Sequence, residues 1–114
     1  MHEYSIAYDI YKTARRAALE NGASQVKAIH VDIGEMAMVN PEQVEFLFSA
    51  IAAEDPLFKD ARLIPRTVKP HLRCSCGYEG EEMFVCPSCG QMPELVEGRE
   101  VVVNHIEIEV EDET

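Results

Sequence analysis

The hydrophobic positions change period as the chain advances. Ile6, Ile10, Ala14 and Ala17 or Ala18 recur at helical spacing between Ser5, a capping residue, and Asn21-Gly22, a stop signal; this pattern predicts a first helix. Over residues 26–33, Ile29, Val31 and Ile33 alternate with Ala28, His30 and Asp32, the period of two expected of a strand with one buried face. Gly34-Glu35 ends it. At Asn40-Pro41 the helical period returns. Asn is a good cap, Pro suits the first helical position, Gln43 sits where a capping box wants it, and Val44, Leu47, Phe48 and Ile51 form an apolar stripe. Pro56 marks the exit. Residues 61–69 predict a further strand, with Pro65 pointing to a sheet edge or bulge. Residues 101–110 predict a last strand, with Val102, Ile106, Ile108 and Val110 on one face and His105, Glu107 and Glu109 on the other.

Between these last two strands the pattern breaks. From His71 to about Gly98 the chain is rich in cysteine and turn residues and poor in large apolar ones. The closing strand needs a sheet to join, and the strands available to it precede residue 70. The fold expected is therefore α+β: a small α/β part of about two helices on a three-stranded sheet, with a second part inserted in it. Residues 1–70, completed by a strand over 99–110, make the first part. Residues 71–98 make the insertion, and 111–114 an acidic tail.

Composition narrows the function. The chain has 114 residues, 46% of them apolar, enough for the core of one ordinary domain. Asp and Glu total 21 against 10 Lys and Arg, a formal charge of −11. Such a surface repels phosphate backbones and tells against nucleic acid as the main partner. No run of eighteen apolar residues suggests a membrane span, and Met1-His2-Glu3-Tyr4 lacks the basic and apolar regions of a signal peptide; a cytoplasmic location is expected. No nucleophile–base pair or phosphate-binding loop stands out, so a non-enzymatic role is expected.

All four cysteines, Cys74, Cys76, Cys86 and Cys89, fall within sixteen residues. In a reducing compartment such a cluster points to a metal rather than to disulfides. Cys86-Pro87-Ser88-Cys89-Gly90 has the knuckle pattern of a zinc ribbon, in which two intervening residues aim both sulfurs at one ion. Cys74-Ser75-Cys76-Gly77 is a shorter partner, with a hairpin expected over residues 78–85. A closed site of four thiolates is structural, and Zn(II) would supply folding energy that so short a segment lacks. His71, three residues before Cys74, is an alternative ligand. Four unmetallated thiols, a redox pair and a rubredoxin-like iron site use the same residues.

The amino end offers a second donor set. Were Met1 retained with a free amine, that amine, the backbone nitrogen of His2 and the His2 imidazole would close five- and six-membered chelate rings on one ion, with Glu3 adding an oxygen. Nitrogen-rich, near-planar donation of this kind suits Ni(II) or Cu(II).

Met1-His2-Glu3-Tyr4-Ser5-Ile6, Ile33-Gly34-Glu35, Val39-Asn40-Pro41-Glu42, Phe46-Leu47-Phe48 and the two late cysteine pairs together resemble the HypA/HybF hydrogenase-maturation proteins, in order and over roughly residues 1 to 110. The resemblance implies a nickel metallochaperone that binds Ni(II) as transient cargo at Met1, His2 and Glu3 and holds structural Zn(II) at Cys74, Cys76, Cys86 and Cys89. It also implies a HypB-type GTPase partner and delivery to the large subunit of [NiFe]-hydrogenase, or in some members to urease, by a monomer or weak homodimer. The first cysteine pair departs from the family's usual C-x-x-C. Asn40 stands where some relatives carry an acidic residue near nickel, and reads here as a helix cap. The competing reading is a zinc-ribbon interaction module in a nucleic-acid or transcription complex. His30 and His105, on the polar faces of their strands, read as solvated or surface-paired histidines. Tyr4, Tyr8 and Tyr11 read as packing residues of the first helix, Met36 and Met38 as a loop over the core, and Glu79, Glu81 and Glu82 as a solvated turn.

Overall fold

A computed structural model describes residues 2–81 and 85–111, with only the backbone of His2. The expectations for Met1, the His2 imidazole, Glu82 and tail residues 112–114 lie outside the described residues. Helix α1 (His2–Glu20) leads into strand β1 (Ala23–Gly34), helix α2 (Pro41–Ala52) and strand β2 (Arg62–Val68). Three short strands follow, β3 (His71–Arg73), β4 (Glu79–Gly80) and β5 (Glu94–Glu97), before the long β6 (Val101–Val110). They form two sheets, ordered β2-β1-β6 and β4-β3-β5. The fold is α+β, and no described helix is long and apolar enough to cross a membrane.

In the first sheet, β1 pairs parallel to β2 and antiparallel to β6. Its residues Ile29, Val31 and Ile33 face Ala7, Ile10, Ala14 and Ala18 of α1 and Val44 and Phe48 of α2 in one buried cluster. The small alanines of α1 let that helix lie close to the sheet. Asn40 caps α2 as expected, its Oδ1 accepting from the N–H groups of Glu42 at 2.9 Å and Gln43 at 3.3 Å. Pro65 lies on the edge strand β2, where a missing N–H disrupts no inner ladder.

Several details differ from the sequence pattern. Helix α1 begins at His2, three residues before Ser5, which sits inside it. Glu3 occupies the first turn, where a carboxylate complements the positive end of the helix dipole. Of the three tyrosines, Tyr11 packs on buried Phe58 of a 3-10 turn at Pro56–Phe58, while Tyr4 and Tyr8 stack on each other in solvent. Met38 lies exposed, in a left-handed backbone conformation. In β6 the strict alternation fails. The register passes from His30↔His105 to Val31↔Val103, so Asn104 is the extra residue of a β-bulge. Val101, Val103, Ile106 and Ile108 therefore pack on the core, and Val102 and Val110 are exposed.

The two chain segments that join the sheets meet at one crowded point. The Gly34 N–H donates to Glu100 O (2.8 Å) and the Met36 N–H to Gly98 O (2.7 Å). A Cβ on Gly98 would lie 2.7 Å from the Cα of Pro70, and the backbone there has φ +109°. Gly98→Ala should lower stability by about 1–3 kcal/mol from the backbone conformation alone, read as a fall in denaturant midpoint.

Asp55 clamps the loop after α2. It accepts from Tyr11 Oη at 2.6 Å and from the Leu57 N–H at 3.0 Å, and pairs with Arg15 at 3.3 Å. Burial pushes its carboxyl up, but these donors outweigh burial and hold it below the ordinary carboxylate value. The stabilisation is therefore complete above the unfolded pKa of about 3.9 and fades as pH falls through the lower folded value. Asp55→Asn should cost about 1 kcal/mol at neutral pH, with the gap to the parent protein closing below about pH 4.

Candidate metal centres

The second sheet carries the cysteines at its turns. Cys74 follows β3 directly, and Cys76 lies in the turn that leads to β4. The Cys74 N–H donates to Tyr78 O (2.8 Å) and the Gly77 N–H to Cys74 O (2.9 Å). The other knuckle repeats this closure, with the Cys86 N–H donating to Gln91 O (2.7 Å) and the Gly90 N–H to Cys86 O (2.9 Å). Gly77 and Gly90 both take positive φ to turn the chain back. The one-residue spacing of the first pair is thus absorbed by a tight turn with its own closing bonds.

The two knuckles face each other. Cys74 Sγ lies 3.3 Å from Cys89 Sγ, Cys76 Sγ lies 3.6 Å from Cys86 Sγ, and all four sulfurs fall within 4.8 Å of one another. Four sulfurs around a tetrahedral ion at about 2.3 Å stand roughly 3.8 Å apart. The spacing brackets that value, and the all-sulfur donor set suits zinc. Cys74 and Cys86 are buried, while Cys76 and Cys89 reach solvent.

The electrostatics agree. Burial pushes the Cys86 thiol up, but the N–H groups of Cys89 and Ser88 and the neighbouring thiols pull it down to about 6. The N–H of Cys76, with a bond from Cys89, lowers Cys74. For Cys76 and Cys89, backbone N–H donors at Tyr78 and Gln91 lower the thiol, yet bonding to partner sulfurs and burial prevail, raising Cys76 and pushing Cys89 up to about 12. The sulfur–sulfur bonds that lower Cys74 and Cys86 raise Cys76 and Cys89, so two thiols become acidic at the expense of two. A divalent cation would remove the conflict.

His71 stands apart from the sulfurs. Its Nε2 bonds Glu79 Oε1 at 3.0 Å, and Arg73 approaches the same carboxylate at 3.7 Å. At the other end of the chain, Glu3 is partly buried on the first turn of α1. The Oδ1 of Asn40 is engaged by two backbone N–H groups of α2.

On the face of the first sheet away from the helices lies a cluster that alternation alone does not reveal: His30, His105 and Glu107, whose ligating atoms also fall within 4.8 Å of one another. His30 is on β1 and His105 and Glu107 on β6, about 75 residues later, so only strand pairing brings them together.

The chain resembles a well-defined set of proteins. A family model described as "Hydrogenase/urease nickel incorporation, metallochaperone, hypA" matches residues 1–108. The hydrogenase maturation factor HypA of Methanocella arvoryzae is 41% identical over 114 residues, spanning 96% of this chain and 100% of its own. Its namesake from Chloroflexus aggregans is 36% identical over 107 residues, spanning 89% and 93%. Among solved structures, the Ni metallochaperone HypA from Helicobacter pylori superposes with a TM-score of 0.75 at 23% identity, over 96% of this chain and 98% of that one. A second HypA solution structure gives 0.77 at 25% identity, over 97% and 98%.

Cys86→Ser, or a strong chelator, should strip the metal from the cysteine cluster and unfold residues 71–97, because among the described residues there few besides Leu72, Cys74, Cys86 and Pro93 are buried. Amide spectra should then lose dispersion for β3–β5 and keep it for β1, β2 and β6.

Proposed function

This chain belongs to the HypA family, and from that premise we propose that it is a nickel carrier, not an enzyme. In this reading it takes up Ni(II) at Met1, His2 and Glu3 and hands it on for assembly of the [NiFe]-hydrogenase active site. Residues 1–70 with the strand over 99–110 form the nickel part. Residues 71–98 form a part built on Zn(II) at Cys74, Cys76, Cys86 and Cys89. A HypB-type GTPase and the hydrogenase large subunit are the partners, in the cytoplasm.

The observation that carries this reading is the family match over residues 1–108, which takes in both the Met-His-Glu opening and the cysteine pairs. The local structure supports it chemically. With α1 starting at His2, the N–H groups of the first turn have no helical carbonyl to bond. An ion can therefore replace the proton on the His2 amide nitrogen without breaking the helix ladder. The positive end of the helix dipole opposes a cation by about 0.3–1 kcal/mol, which the anionic amide nitrogen and the Glu3 carboxylate offset. What results is a grip of few donors at a helix end, suited to release as well as capture. The acidic net charge of −11 weighs against the nucleic-acid module.

His2→Ala, in untagged protein beginning at Met1, should weaken nickel binding beyond the roughly 10–100-fold typical of losing a group that only hydrogen-bonds a ligand, with zinc content and fold unchanged. Calorimetry with Ni(II) reads it directly. Affinity in the parent protein should rise with pH through about 7.7–8.0, where an α-amine loses its proton. An unchanged isotherm in His2→Ala rejects the terminal site.

A further inference from the structure

We propose that His30, His105 and Glu107 form a second, open metal site on the face of the first sheet away from the helices, for a divalent transition ion that favours imidazole, such as nickel, copper or zinc. It rests on geometry separate from the chain terminus and from the four cysteines.

The first support is the cross-strand placement. His30 and His105 are direct partners in the β1–β6 register, and their rings stack with centroids 4.0 Å apart and planes 16° from parallel. Glu107 completes the set, with its Oε2 2.5 Å from His30 Nε2. The three ligating atoms lie within 4.8 Å of one another. Donors on one ion at about 2.0–2.1 Å stand roughly 3 Å apart, so binding requires the two stacked rings to turn out of parallel until their lone pairs converge. The ion would take the place of the hydrogen bond between His30 and Glu107.

The second support is the bulge. By carrying Asn104 and His105 together against one residue of β1, it rephases β6 so that His105 meets His30 while Val103 and Ile106 still pack on the core. Bulges commonly re-aim a side chain in this way.

The third is a chain of hydrogen bonds that fixes the His105 ring. Arg66 donates to both carboxylate oxygens of Asp32, at 3.0 and 2.9 Å. Asn104 Nδ2 donates to Asp32 Oδ2 at 3.0 Å, which leaves Asn104 Oδ1 to accept from His105 Nδ1 at 2.8 Å. Bonds from Asn104 and Arg66 hold the Asp32 carboxyl below its ordinary range, so the anchor stays charged. With its proton on Nδ1, His105 keeps the Nε2 lone pair as the one available to a metal. Hydrogen-bond partners on the far ring nitrogen fix the histidines of metal sites in the same way.

Both histidines, with Asp32, Ile64, Pro65, Arg66 and Asn104, line a concavity of about 340 Å³, and Glu107 lies outside its lining. The side chains of His30 and Glu107 are 27% and 58% exposed, so water would complete the coordination. Two imidazoles and a carboxylate suit first-row divalent ions better than calcium or magnesium. Three donors with open positions hold an ion in exchange with solvent, unlike the closed sulfur cage.

The test uses zinc-loaded, isotopically labelled His2→Ala protein titrated with Ni(II) alone. Paramagnetic broadening is expected around residues 29–31 and 104–107, with one equivalent bound by calorimetry. Adding His105→Thr should abolish both while zinc content and amide dispersion persist. His30→Thr, also strand-compatible, serves if the first variant misfolds. Broadening confined to residues 71–97 or to the chain terminus, or an isotherm indifferent to both threonine variants, overturns the proposal. Because His2 is absent throughout, the outcome is independent of the terminal nickel site.

Discussion

Burial of Ile29, Val31 and Ile33 beneath two helices sets the register of β1, and β1 is the strand on which both its neighbours depend. A strand has period two, so committing these residues to the core commits His30 and Asp32 to the opposite face. One face is spent on packing and the other is left for chemistry. Strand β6 has to meet both demands at once. It does so with one extra residue, which keeps Val103 and Ile106 inside while Asn104 and His105 both face outward.

The second sheet obeys a different constraint. Its strands are two to four residues long, and among the described residues its small buried centre holds Leu72, Cys74, Cys86 and Pro93. So little apolar burial cannot offset the chain entropy of ordering some thirty residues. Four convergent sulfurs with conflicting proton affinities answer that shortfall, because a bound dication relieves their repulsion and ties both knuckles together.

Much of this was legible in the sequence where the signal is local. The Asn40-Pro41 cap, the apolar stripe of α2, the alternation in β1 and the spacing of the cysteines each depend on neighbours a few residues apart, and each is formed. The start of α1 is not legible locally, because Ser5 is a good cap in isolation, yet Glu3 at the positive helix end makes an earlier start favourable. The burial of Phe58 depends on Tyr11 of a distant helix, and β3 and β5 are too short to leave a periodic trace. The pairing of His30 with His105 was hidden for the same reason. Alternation marks both as outward-facing but is silent about which strands lie side by side, and a bulge cannot be told from regular strand until its partner is known.

The second sheet leaves the first through residues 69–70 and returns through 98–100, and both passages run past the end of β1, where Gly34, Pro70 and Gly98 touch backbone to backbone. A body hung on one tether can swivel freely. Hung on two that are pinned side by side, it loses torsion and keeps only a hinge-like swing about the line between the pins.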